Sequence, residues 1–171
     1  PDHRIWPMAP DWLPETQKDE YERFLNVFIH DINLMRHLFD GLPEIKNVDY
    51  HNIAGTLNLE YNNIPGVFEF GQLETNRFWV EGVDIYFEHG RLQLKLPPAF
   101  LINYPATVMV HKDKPGKSIE TISSTPGWTW SFMKQAESFV DVVLSGKKSI
   151  ADAVDGLQDI EFVENVWKKI I

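Results

Sequence analysis

The sequence predicts an α+β domain: an open, mostly antiparallel sheet of about six strands with helices packed on one face. Three observations predict it. Apolar residues recur at helical spacing near both ends of the 171-residue chain, they alternate with polar ones between residues 44 and 124, and turn signals divide that middle stretch at short intervals. Strands joined by tight turns pair antiparallel, and strands grouped between helices leave no βαβ repeat for a doubly wound sheet. A chain of this length suits one domain, burying roughly 70 % of the surface its unfolded form exposes.

Residues 1–15 carry four Pro and two Trp without periodicity and are expected to form an extended arm lying on another surface. One α+β domain is expected over 16–171. Its first helix is predicted from Thr16, where Thr16-x-x-Asp19 has the spacing of a capping box, to about Phe39, with Asp40-Gly41-Leu42-Pro43 as the stop. The strands follow. Leu57 and Leu59 alternate with Asn58 and Glu60, Val83, Ile85 and Phe87 with Asp84 and Tyr86, and Leu92, Leu94 and Leu96 with Gln93 and Lys95. Turn signals stand at Asn62-Asn63-Ile64-Pro65-Gly66, at Glu88-His89-Gly90-Arg91 and at Lys114-Pro115-Gly116. Two closing helices are predicted over about 128–145 and 149–170, separated at Gly146 and restarted by Ser149-x-x-Asp152.

Composition excludes whole classes of function. Sixteen Lys and Arg against twenty-five Asp and Glu give a net charge of -9, which opposes nucleic-acid and anionic-membrane partners. The absence of Cys removes disulfides, thiolate catalysis, thiolate zinc sites and iron–sulfur clusters. No apolar run approaches the roughly 20 residues that span a bilayer, and PDHRIWPMAP has no secretion-signal pattern, so the cytoplasm is the expected compartment. The chain begins at Pro1, and a piece of a longer protein is one reading of that start.

Chemistry is left to histidine, carboxylates and amides. On a helical wheel Asn26, His30, Asn33 and His37 fall within about 60° of arc, a polar stripe on an otherwise apolar helix. Such a stripe is expected at the rim of a cleft, facing a ligand rich in hydroxyls, or else bonded to loop carbonyls or water. His30 and His37 lie seven apart rather than the four of a helical zinc pair, so no metal site is expected. Neither G-x-G-x-x-G nor G-x-x-x-x-G-K-[ST] occurs, so no dinucleotide or phosphate cradle is expected in this chain. Among the six Trp, Trp79 and Trp167 are read as core or interface anchors, while Trp12, Trp128 and Trp130 are candidates to stack on a sugar ring. The last helix carries two apolar stripes, Ile150/Val154/Leu157/Ile160/Trp167 and Phe162/Val166/Ile170, and the second is expected to pack on a domain or subunit outside these residues.

The run NVFIHDINLMRHLFDG, from Asn26 to Gly41, together with SGKKSIADAVDGLQDIEFVENVWKKI, resembles the C-terminal domain of the glucose-fructose oxidoreductase / inositol dehydrogenase (Gfo/Idh/MocA) family. The resemblance covers nearly the whole chain. It implies a dihydrodipicolinate-reductase-like C-terminal domain, a preceding Rossmann domain that binds NAD or NADP, and homo-oligomer contacts through the open sheet face. In members resembling inositol dehydrogenase a D-x-x-x-H pair acts with a Lys from an E-K-P segment of the Rossmann domain. There the His takes the substrate hydroxyl's proton while hydride leaves for the cofactor.

The residues here that match the pair are Asn26 and His30. An imidazole can exchange a proton near neutral pH, whereas the Asn26 amide can only orient a hydroxyl or the ring. Lys114-Pro115 does not replace the E-K-P lysine, since it follows Asp113 in a late turn. The expectation is therefore the substrate-binding and oligomerisation domain of an NAD(P)-dependent oxidoreductase acting on a sugar or cyclitol, inactive without its nucleotide-binding domain. His30 and Asn26 are its catalytic candidates, and Asn33, Trp12 and Trp128 its substrate-binding ones. The alternative is a non-catalytic carbohydrate-binding or protein-interaction domain on the same scaffold.

Overall fold

A computed structural model describes residues 8–52, 54–72, 78–127 and 129–171. The order of elements is α1 (Glu15–Phe39), β1 (Glu44–His51), β2 (Ala54–Tyr61), β3 (Ile64–Gly71), β4 (Gly82–Phe87), β5 (Gly90–Lys95), β6 (Thr107–Lys112), β7 (Glu120–Ser124), α2 (Ser131–Ser145) and α3 (Ala153–Ile170). The class is α+β and all strand pairs are antiparallel. In place of one sheet of about six strands there are seven described strands in two open sheets, β1-β2-β3 and β4-β5-β6-β7. The edges of the first sheet explain why it stops at three. Pro65 leaves β3 without one ladder N–H, and β1 is bulged between Ile45 and Asn47. The chain divides into two compact units, 1–74 with 150–171, and 75–149.

In the first unit α1 and α3 pack together, and α3 also packs on β1. Tyr21, Phe24 and Ile32 from α1 meet Leu57 and Phe70 from the sheet and Phe162, Val163, Val166 and Trp167 from α3. Edge-to-face contacts of Trp167 with Tyr21 and Phe24, at 5.7 and 6.2 Å between centroids, tie the two helices. Phe70 lies across β2 because Gly55 has no side chain: a Cβ there would stand 2.8 Å from the ring and 2.3 Å from the Asp49 carbonyl. The β2–β3 hairpin turns at Asn62 and Asn63, both at positive φ (47° and 69°), as the paired asparagines predict.

The helix ends refine the sequence reading. α1 starts after Pro14 with no side-chain cap, so Thr16 lies inside the helix and caps nothing. It stops at Asp40, whose φ of 54° is left-handed. α3 is capped by Asp152, which accepts from the N–H groups of Val154 and Asp155, and not by Ser149. The described part of the arm turns, with Leu13 N–H donating to the Pro10 carbonyl, and buries Ala9 and Leu13.

The two stripes of α3 exchange roles. Phe162 and Val166 are core residues with Trp167, while Ile150, Val154, Leu157 and Ile160 are exposed. The cause is that Trp167, one residue beyond Val166 and four beyond Val163, turns the C-terminal half of the helix inward with them.

The second unit has a different character, for no described residue from 78 to 149 is fully buried. The register sorts its sheet into two faces. One carries Val83, Ile85, Leu92, Leu94, Val108, Val110 and Ile122. The other carries Asp84, Tyr86, Arg91, Gln93, His111 and Thr121, with Arg91 Nη2 2.7 Å from Asp84 and its guanidinium 5.4 Å above the Tyr86 ring. α2 has no buried residue, and Phe139, Val140, Val143 and Leu144 are exposed along it. Its start is held by Trp130, which donates to the Ala99 carbonyl, and by Phe132 stacked on Phe100. Among the described residues no helix is long and apolar enough to cross a membrane.

Candidate functional site

The α1 wheel becomes geometry once the helix is anchored. Tyr21, Phe24, Ile32 and Arg36 face inward, so residues nearly half a turn away must face out. Asn26, His30 and His37 are exposed. With Arg23, Val27 and Leu38 they form a mixed strip along the outer side of α1, and Asn26 and His30 stand one turn apart within it. The described residues do not enclose this strip, although the apolar circumference of the helix predicts a covered one.

Asn33 departs from the stripe. Its amide nitrogen donates to Asp155 Oδ2 at 2.9 Å and to Asp159 Oδ2 at 2.8 Å, both on α3. Beside it Arg36, 7 % exposed, donates from Nη1 to Asp159 Oδ1 at 2.6 Å and to the Asp155 carbonyl at 3.2 Å. Its Nη2 donates to Asp155 Oδ1 at 2.9 Å and to Gln158 Oε1. The Asn33 amide, followed by the Arg36 guanidinium, holds the Asp155 carboxyl below its ordinary range against the opposing effect of burial. This cluster fixes the rotation of α1 about its axis and thereby the outward aim of Asn26 and His30. Sequence reasoning passed over Arg36. The available signal was an acidic pair one turn apart, Asp155 and Asp159, on the helix face that also carries Phe162, Val163 and Val166.

A recess of about 20 Å³, room for one water, lies near the start of the strip. It is lined by Glu20, Arg23, Phe24, Phe28, Tyr50, Phe70 and Gln72. Tyr50 Oη donates to Glu20 Oε2 at 2.8 Å, and burial together with that bond raises the phenol's pKa. The lining of the recess is aromatic, with the Glu20 carboxylate, the Arg23 guanidinium and the Gln72 amide beside it, and its volume admits a water rather than a sugar ring.

Comparison with family models, curated proteins and solved structures yields no match.

The remaining candidates separate from the strip. Trp12 is partly exposed, with Lys168 Nζ 5.4 Å from its ring centroid, and Trp128 lies outside the described residues. Trp167 is fully buried as expected, with its indole N–H unpartnered. Trp79 is exposed, its N–H donating to Glu81 Oε2 at 2.8 Å. Among the described residues no group of three or more His, Asp or Glu is placed to hold a metal ion.

Proposed function

We propose that this chain is the substrate-binding and oligomerisation domain of an NAD(P)-dependent oxidoreductase acting on a sugar or cyclitol. In this reading it has the dihydrodipicolinate-reductase-like fold of the Gfo/Idh/MocA family. The observation that carries it is the outward aim of Asn26 and His30, one turn apart, on a helix whose other side is locked by Arg36 and Trp167. An exposed imidazole and amide on a rigid helix form one wall of a cavity, and a second domain closes it. His30 then takes the proton of a substrate hydroxyl while Asn26 orients that hydroxyl or the ring. Arg23 and Gln72 stand ready to bind further hydroxyls from the rim of the neighbouring recess. Asn33 acts from behind, holding α1 to α3.

In this reading the chain, which has no glycine-rich cradle, does not itself seat a dinucleotide. The cofactor belongs to the N-terminal Rossmann domain that this reading requires. The open apolar face of the β4–β7 sheet is the surface it assigns to contacts between copies.

The test is a turnover screen of the full-length protein against sugars and cyclitols with both nicotinamide cofactors. His30→Ala is expected to lower turnover by about 10²–10⁴-fold with a smaller change in KM. Wild-type rates in His30→Ala would remove His30 from the chemistry. Asn26, which cannot take a proton, favours a second reading: a non-catalytic domain that holds a carbohydrate or a protein on the same scaffold. Calorimetric binding of a sugar by a full-length protein that turns none over would select it.

A further inference from the structure

The four sheet edges among the described residues are not treated alike. An edge strand shows unpaired N–H and C=O groups to any passing strand, and proteins blunt such edges with proline, bulges or lysine. The β1-β2-β3 sheet does so on both sides. Its β1 edge is bulged at Lys46, whose ammonium lies 2.7 Å from Glu44 and 3.1 Å from Glu60, and its β3 edge contains Pro65. The β4-β5-β6-β7 sheet has neither device on β4 or on β7. All five residues of β7, Glu-Thr-Ile-Ser-Ser, are exposed, and between Glu120 and Ser124 the strand is neutral and begins with two β-branched residues.

We propose that β7 is a dimerisation edge, at which two copies of this chain pair their β7 strands antiparallel about a two-fold axis at Ile122. The two four-stranded sheets then become one sheet of eight. A two-fold edge contact is isologous, so each residue must tolerate the one it meets. Centred on Ile122, the register sets Glu120 against Ser124 of the other copy, Thr121 against Ser123, and Ile122 against itself, so no like charges oppose. The same operation on β4, centred on Ile85, sets each Asp84–Arg91 ion pair diagonally beside its own copy, a more crowded seam than the neutral one at β7. Pro126, two residues past the end of β7, halts the ladder there and holds the pairing to five residues. The polar and apolar faces of the two sheets run on across the seam, with Ile122 continuing the row of Ile85, Leu92 and Val110.

A seam of five residues buries far less than the roughly 800 Å² per partner of a standard interface, so the dimer is a weak one, assembling in the micromolar range. This inference rests on the homo-oligomeric part of the reading above and is independent of the chemistry given to His30.

The chain contains no cysteine, which makes a symmetric cross-link decisive. In the pairing described, position 122 meets itself with Cα atoms about 4.5–5.5 Å apart, within disulfide range. Ile122→Cys in the full chain is expected to cross-link to a covalent dimer under mild oxidation, whether or not Leu92→Cys, on the open face assigned above to contacts between copies, also does. Sedimentation supplies a test of register in which both variants carry Thr121→Lys, and so both lose the exposed His111–Thr121 bond, leaving their difference to read the seam. Thr121→Lys with Ser123→Lys opposes like charges across the seam and is expected to weaken association by about tenfold or more. Thr121→Lys with Ser123→Glu opposes unlike charges and should associate at least as well as the wild type.

A chain that stays monomeric at a few hundred micromolar would overturn both the edge and the homo-oligomer it belongs to. A dimer that cross-links at Leu92→Cys and not at Ile122→Cys, or that treats the two charge variants alike, would overturn the edge alone and leave face-to-face association standing.

Discussion

Arg36 shows what a single buried charge costs and secures. It is nearly covered, and it is held by the carboxylates of Asp159 and Asp155, the Asp155 carbonyl and the Gln158 amide oxygen. Removing one of the two carboxylates leaves the guanidinium only partly compensated by the other, which costs about 2–3 kcal/mol, less than a buried ion left with no partner and more than an exposed ion pair contributes. Asp159→Ala is therefore expected to lower stability by about that amount in urea unfolding. Arg36→Met combined with Asp159→Leu should recover most of the loss, because the pair is then replaced by apolar volume. Equal destabilisation by the single and double variants would show that the site needs the charges themselves. The one-turn spacing of Asn26 and His30 was legible in the sequence, since it depends on one helix alone. The diversion of Asn33 was not, because a wheel gives the angle of a side chain and says nothing of the carboxylates on another helix that claim it.

At the scale of the element, α3 depends on its first turn. Asp152 accepts from two N–H groups at 3.0 Å each, and Asp152→Ala is expected to cost about 1 kcal/mol in urea unfolding. The same end of the helix sets an acid sensitivity. The Asp155 carboxyl is held below its ordinary 3.8, chiefly by the Asn33 amide and then by Arg36. The folded form thus binds the Asp155 proton less readily than the unfolded form. Its contribution to stability is complete above about pH 5, starts to fall as pH drops through the ordinary carboxylate range, and is lost below the folded value. Asn33→Ala should flatten this loss in urea titrations between about pH 5 and 2, and an unchanged pH slope would show that Asn33 does not govern that carboxyl. The existence of α3 was readable from its apolar period. Its inward face was not, because two stripes competed and only the neighbours of Trp167 decide between them.

Across the whole molecule, burial is unevenly spread. In the first unit Ile32, Leu57, Val163, Val166 and Trp167 are wholly covered, whereas no described residue from 78 to 149 is buried. Alternating apolar residues told where strands form, but the alternation is the same whether a sheet covers its apolar face or leaves it open, so the division into two sheets and two units was not legible. Amide exchange tracks the free energy of opening, so α1, β2 and α3 are expected to exchange slowest, and α2 and β7 fastest, in dilute protein. Association changes that order in one place. If β7 pairs with its copy, the amides of 120–124 gain protection as concentration rises, while those of α2 do not. Each copy carries a net charge of -9, so two copies repel at low ionic strength. Raising salt from about 0.02 to 0.3 M shortens the Debye length and is expected to strengthen this protection at fixed concentration. A seam held by cross-strand ion pairs would respond in the opposite sense, and β7 contributes only Glu120 to it, facing a serine. Protection at β7 that falls as salt rises would therefore exclude the neutral register centred on Ile122.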